Sequence, residues 1–455
     1  MKSRILDALD RSRAGYTELR LRRIWSTTVL VRGRTVEVAT AAMETGGMVR
    51  SCSPGTGWGM MGFSDDDRLD VPVLHAHELS LAGDSRIPVA LAPIAVRQQE
   101  SADPLDDDPR EIPLPEKRQR GELLAASLFG LDRRIASGRI LLRDQVVETW
   151  LGTSEGTWVH DLRSEVSVAI LAVAEEEGNV ERALGSLARQ GGWRAADGAD
   201  QLVRSVAGRA VERLHAAPVR PGRYTVVLDP AATGALVHRA VSHLARPALS
   251  GADPDVLPMG TRIGPECLSV GDDPTAEGLR ASCVCDDEGT GARRTPIVQN
   301  GVVVGHLHNR ETAAASGQAP TGHARAGALR GAPHPRATNT YLAQGAGSLE
   351  DLLRGINTGL YVADTLAAEA AGDQVGLRAG SARMIRNGRL AEPLKGVHIG
   401  AGILSLLGRI DAVAADFSWD SQGATCRDGS AGVVSICTGA PHVRLVDVAV
   451  GEGFS

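Results

Sequence analysis

Arg223-Tyr224-Thr225-Val226-Val227-Leu228-Asp229-Pro230, followed by Thr233-Gly234-Ala235-Leu236-Val237-His238-Arg239-Ala240-Val241-Ser242-His243-Leu244-Ala245-Arg246, reads as a strand ending at a proline and a helix opening behind it. The helix carries two histidines five residues apart. On a regular α-helix five residues turn through about 500°, leaving the pair about 140° apart, whereas the four-residue spacing of H-E-x-x-H leaves about 40°. Taken alone, His238 and His243 are two ordinary half-buried histidines. They can share a metal only if a π-bulge makes positions i and i+5 neighbours, a distortion that recurs at functional sites.

Working outward from this helix, the chain divides into units. Toward the N-terminus, Ile5 to Ser12 reads as an amphipathic helix. Glu18 to Arg23 and Thr27 to Val38 alternate with period two around Gly33, which predicts a hairpin, and Gly46 to Arg50 and Gly57 to Phe63 continue the sheet. These make an α/β domain over 1–99. Glu100 to Gly121 holds four prolines and an Asp106 to Asp108 run, and is read as an exposed linker over 100–121. A central α+β domain over 122–217 follows, with a helix near Glu122 to Ser137, strands around Ile140 to Trp150, Thr157 to Asp161 and Glu165 to Ala174, and a helix over Gln201 to Leu214. Residues 218–455 form the largest unit, strand-rich and glycine-punctuated. The fold class is therefore α+β, with N-terminal α/β units preceding a strand-rich C-terminal domain that carries the histidine helix.

Bulk properties narrow the function. At 455 residues the chain exceeds what one core organises. A net charge of -6 leaves no basic surplus for phosphates, so nucleic acid is not the expected partner. The first ten residues lack an apolar signal core and no stretch approaches 18 apolar residues, so a soluble cytoplasmic protein with no membrane partner is expected. Six cysteines scattered over such a length suit reduced thiols or a metal ligand rather than a disulfide framework.

Several motifs accompany the helix: Thr295-Pro-Ile-Val-Gln-Asn-Gly-Val-Val-Val-Gly-His306-Leu-His308-Asn-Arg310, Pro320-Thr-Gly-His323-Ala-Arg325, Pro335-Arg-Ala-Thr338-Asn339-Thr340-Tyr341-Leu342, Ile385 to Gly396, and Cys426-Arg-Asp-Gly-Ser430. In order and spacing, from about 223 to 445, these resemble the TldD/PmbA metalloprotease family, whose helix bears H-E-x-x-x-H. The resemblance implies His238, His243 and Cys426 as ligands of zinc, a set whose three protein groups leave a fourth position open. It also implies that Thr338, Asn339, Thr340 and Tyr341 form a wall along which an extended peptide binds, though the same residues read equally as a purely structural strand.

Arg239 departs from the family pattern. It stands where the family has its glutamate general base, and a guanidinium cannot accept a proton at neutral pH. Its role is to bind a substrate carboxylate or mark a changed reaction, or it marks a decayed site. Ser242 stands where the family has glycine, and either donates a hydrogen bond into the pocket or simply faces solvent. Replacement bases to consider are Asp229, Glu266 and the His306/His308 pair, which follow the Asn300-Gly301 turn and share a face. Cys283-Val284-Cys285 reads as two thiols on one sheet face, and Cys437 as core.

The resulting expectation is a zinc-site protein acting on amide bonds of a peptide or peptide-like small molecule, repurposed for antibiotic-type natural-product biosynthesis with a weakened hydrolytic mechanism. Its partner would be a second family subunit, as heterodimer or homodimer. The competing expectation is a non-catalytic scaffolding subunit of such a heterodimer. Modulation of DNA gyrase, suggested by an old family name, conflicts with the acidic charge.

Overall fold

The computed structural model describes all residues except 54, 66, 83–88, 101–104, 248–256, 428–431 and 452–455. Among them, no helix is long and apolar enough to cross a membrane.

The N-terminal half is organised by one antiparallel sheet. β1 (Tyr16–Arg32) and β2 (Thr35–Cys52) form the hairpin expected around Gly33, which takes φ +59°. β3 (Trp58–Phe63) pairs with β2, and β4 (Gln98–Gln99) lies at the far edge of the sheet. β1 also pairs along its length with β5 (Ile135–Thr153), which continues into β6 (Trp158–Glu176) and β7 (Asn179–Gln190). Strands from both sides of the expected linker thus share a sheet of order β3-β2-β1-β5-β6-β4, with β7 on β6. The expected strands Thr157 to Asp161 and Glu165 to Ala174 are one strand, and β7 had no separate expectation.

The linker reading is corrected for residues 109–121. Asp108 accepts from the Arg110 amide to cap a short turn at Pro109–Glu111, and helix α3, counted after α1 (Lys2–Leu9) and α2 (Asp70–Ala82), runs Leu114–Leu131. Its Lys117 is buried and donates to Asp144 (2.8 Å) and Thr27 (3.1 Å), which polar composition concealed. Leu124, Ala125 and Leu128 of α3 pack with Val203, Val206 and Ala210 of α4 (Ala199–Leu214) against the β1, β5 and β6 valines and isoleucines.

Among the described residues, the C-terminal half holds two larger sheets, of eight and six strands, and two two-stranded ones. β8 (Ala217–Pro218) and β9 (Gly222–Leu228) belong to the first, in which β9 lies between Thr358–Ala371 and Val443–Val450. Because Thr358–Ala371 also pairs with Gln374–Arg386, this sheet closes on itself. The second places Asn339–Leu342 between Val270–Asp272 and Cys437–Ala440. Helix α5 (Pro230–Val237) lies between the two, its Leu236 and Val237 packed with Val226, Leu228, Leu360 and Leu342 in the largest core. Gly234 permits that approach, since a Cβ there would lie 2.7 Å from Thr438 Oγ1.

Buried charges join the halves. Arg50 donates to Glu18 (2.7 Å) and Glu288 (2.8 Å), every side chain in the trio being at most 3% exposed. Glu288 also accepts from the Arg310 amide, Asp286 from three backbone amides, and Asp287 pairs with Arg22. The acidic run after Cys285 is thus a structural clamp. Removing Arg50 strands two carboxylates out of water, so Arg50→Ala should cost about 3 to 5 kcal/mol in urea unfolding; a loss below about 1 kcal/mol would contradict this account.

Candidate metal centre

Beyond Val237 the helix widens. Residues His238–Ser242 form a π-turn, in which hydrogen bonds reach one residue further than in an α-helix. The Ser242 hydroxyl supports it by donating to the His238 carbonyl, the acceptor that the Ser242 amide would use in a regular helix. Of the two readings of the five-residue spacing, the structure realises the π-bulge. The rings of His238 and His243 meet edge to face, with centroids 5.8 Å apart.

Cys426 reaches the same place from the strand Thr425–Arg427. Its Sγ lies 3.6 Å from His243 Nε2, and one ligand-capable atom from each of His238, His243 and Cys426 lies within 4.8 Å of the other two. Two arginines hold this segment. Arg336, fully buried, donates to the Cys426 carbonyl at 2.7 Å, while Arg280 donates to the carbonyls of Gly423 and Ala424.

The trio suits a cation. His238 Nε2 is buried without a hydrogen-bond partner among the described residues, which is costly for a polar atom unless something else meets its lone pair. Burial, then the neighbouring His243 and Arg239, pushes the His238 pKa well below its usual value, so the ring stays neutral as a ligand must. Tetrahedral zinc with one thiolate and one imidazole would set sulfur and nitrogen about 3.5 Å apart, close to the Cys426–His243 separation. His243 is differently placed, because Arg246 donates to its Nδ1 at 2.7 Å. A guanidinium only donates, so a neutral His243 ring in that contact carries its proton on Nε2.

Other expected site residues fare unequally. Arg239 is half-buried beside His238 and makes no hydrogen bond or ion pair among the described residues. Of the two readings of Ser242, the structure realises the pocket-facing one and not the solvent-facing one: it is 1% exposed and its oxygen lies 3.0 Å from His238 Nδ1. Thr338, Asn339, Thr340 and Tyr341 do not offer a peptide-binding edge. Their strand is central, with both edges paired and every residue buried, so no peptide can add to it. Thr340 instead touches the site, its Oγ1 being 3.0 Å from His238 Nδ1.

None of the replacement bases is free at the trio. Glu266 is exposed in a turn, and His306 Nε2 meets the Leu257 carbonyl. His306 and His308 do neighbour each other, with centroids 6.1 Å apart, after a turn in which Asn300 and Gly301 both have positive φ. Cys283 and Cys285 lie in a loop rather than on a sheet face, while Cys437 is buried as expected. Asp272 and His323, behind Thr340, were not singled out from sequence. Nothing in the run Val270-Gly271-Asp272-Asp273 shows that Asp272 lies across from Thr340 in the sheet.

Residues 221–452 match the family model of the PmbA/TldA metallopeptidase C-terminal domain, and 107–217 that of its central domain. Metalloprotease slr0863 of Synechocystis sp. is 34% identical over 445 residues, covering 97% of this chain and 95% of its own. The zinc metalloprotease TldD homolog of Saccharolobus solfataricus is 28% identical over 334 residues, covering 72% and 74%. TldE from Thermococcus kodakarensis shares the fold, with a TM-score of 0.76 over 100% of both chains at 16% identity.

Asp229 has a structural task. It caps α5 by accepting from the Ala232 amide (2.7 Å) and accepts from the Asp364 amide (3.0 Å). Burial raises its pKa to about 6, and burial together with Asp229 raises Asp420 to about 6 as well. A carboxyl raised on folding stabilises the fold below its unfolded pKa, and that contribution is lost as pH climbs through the folded value. Asp420→Asn should therefore gain melting temperature relative to the parent between pH 4 and pH 7. A difference constant across that range would contradict the assignment.

Proposed function

This chain belongs to the TldD/PmbA metallopeptidase family, and from that premise we propose that His238, His243 and Cys426 hold a zinc ion in a site acting on amide bonds of a peptide or peptide-like compound. The carrying observation is the buried Nε2 of His238, unpartnered among the described residues, in a trio whose candidate ligand atoms lie within 4.8 Å of one another. A relative described as a zinc metalloprotease supports the choice of metal. When bound, zinc supplies Lewis-acid polarisation of a carbonyl and a lowered pKa for coordinated water.

The residues of this chain divide the remaining work unequally. His238 and His243 present imidazoles from one helix, and the arginine-held Cys426 segment presents the thiol across from them. Arg239 cannot take a proton, so the general-base contribution, typically about 10² to 10⁴ in rate, is missing from its position. Its guanidinium, unpaired among the described residues, suits a carboxylate or a developing oxyanion on the substrate. That gives an altered, weakened hydrolytic site. On the family resemblance alone, we extend this reading to a cytoplasmic role in maturing a peptide-derived natural product.

The arginine at the glutamate position also favours a second reading, a scaffolding subunit paired with a zinc-bearing family member. Metal and activity separate the two. The purified chain should carry about one equivalent of zinc, falling below about a tenth in His238→Ala. A parent already below that level, unchanged by the substitution, would sink the zinc reading. Arg239→Glu should raise cleavage of unstructured peptides by about 10² or more; no gain in a zinc-loaded variant would favour the scaffold.

Arg246 opposes loading in this reading. A metal on His243 Nε2 needs the ring proton on Nδ1, where the guanidinium now donates. Arg246→Gln should therefore tighten zinc binding several-fold in chelator competition. Weaker binding would show that Arg246 assists the site instead.

A further inference from the structure

Behind His238 lies a buried polar chain that the proposed chemistry does not use. Asp272, fully buried, accepts from the Thr338 amide (2.9 Å) and hydroxyl, from His323 Nε2 (3.1 Å) and from the Thr340 hydroxyl (2.9 Å). Burial alone would raise its pKa, but His323 and the Thr338 donors hold it below the ordinary aspartate value. His323 meets acceptors at both nitrogens, with Thr321 at Nδ1 and Asp272 at Nε2. Asp272 and Thr340 face each other across adjacent antiparallel strands, so backbone register, rather than flexible reach, sets their contact.

Hydrogen-bond bookkeeping along this chain has one solution. An ionised carboxylate only accepts, so the Thr340 hydroxyl must spend its single proton on Asp272. Toward His238 Nδ1, 3.0 Å away, Thr340 can then offer only a lone pair. Ser242 is in the same position, having given its proton to the His238 carbonyl while lying 3.0 Å from Nδ1. Two oxygen lone pairs converge on Nδ1, and Nδ1 must carry the hydrogen. The lone pair of the neutral ring is therefore on Nε2, the buried atom that no group among the described residues satisfies.

We infer that Asp272, acting through Thr340 and itself held by His323, is a positioning residue that locks His238 in the Nδ1–H tautomer and presents Nε2 to the metal. The inference rests on the proposed zinc reading only for its purpose, since the tautomer belongs to the metal-free protein. The two histidines are then set oppositely: His238 is ready for a cation, whereas His243 has to release Arg246. Carboxylates that orient a ligand histidine typically contribute 10- to 100-fold to metal affinity.

The test uses the full chain with ¹⁵N-labelled histidine, metal-free, and then zinc titration against a chelator. Nitrogen NMR should show His238 protonated at Nδ1 in the parent and in Thr340→Ser, and a mixture of tautomers in Thr340→Val. Zinc affinity should fall about 10- to 100-fold in Thr340→Val and return to within a few-fold in Thr340→Ser. Asp272→Asn should behave like Thr340→Val; if it fails to fold, the threonine pair decides alone. A parent protonated at Nε2, or a Thr340→Val protein matching Thr340→Ser in tautomer and affinity, overturns the inference. If no variant takes up zinc but the tautomers differ as stated, the zinc reading fails while the locking of His238 stands.

Discussion

One residue too many in a helical turn underlies the site. An α-helix would point His238 and His243 away from each other, and the π-turn over His238–Ser242 brings their rings together. Such a turn weakens the regular hydrogen-bond ladder and persists only where its surroundings over-determine it. Here they do so from several directions. The Ser242 side chain returns a hydrogen bond to the widened turn, Ala240 and Val241 are buried in the main core, and Gly234 lets the preceding helix sit close on Thr438.

Around that turn the protein builds inflexible polar surroundings. Cys426 is carried on a short strand, an unsteady platform by itself, and Arg336 and Arg280 hold its backbone. Asp272 reaches His238 through Thr340 from an inner strand of the sheet that is paired on both sides. The clamp of Arg50, Glu18 and Glu288 then fixes the N-terminal sheet against this half of the chain. Preorganised ligands pay little ordering cost when a cation binds, so burying so many polar groups is coherent if the site holds one.

Local signals in the sequence were reliable guides where geometry is local. The hairpin about Gly33 and the Asn300-Gly301 turn have the positive φ values that those residues favour. The helix behind Pro230 was legible for the same reason, with Asp229 as its cap. Non-local pairing was not legible. Thr338 to Leu342 reads as a strand, but its central place depends on partners about residues 270 and 437, and that place removes the edge a peptide would need. Residues 109–121 look like a linker by composition, yet their Lys117 lies in α3 and is buried as a pair with Asp144 of β5. The histidine spacing is the sharpest case: only the accompanying motifs made a shared site plausible, because helical periodicity argues against it.

The account turns on whether His238, His243 and Cys426 act together on one ion. X-ray absorption at the zinc edge of the loaded protein tests this directly. The account predicts one sulfur at about 2.3 Å and two imidazole nitrogens at about 2.0 to 2.1 Å, with a lighter fourth ligand. A shell of oxygen and nitrogen without sulfur, or a spectrum unchanged in Cys426→Ser, would contradict it.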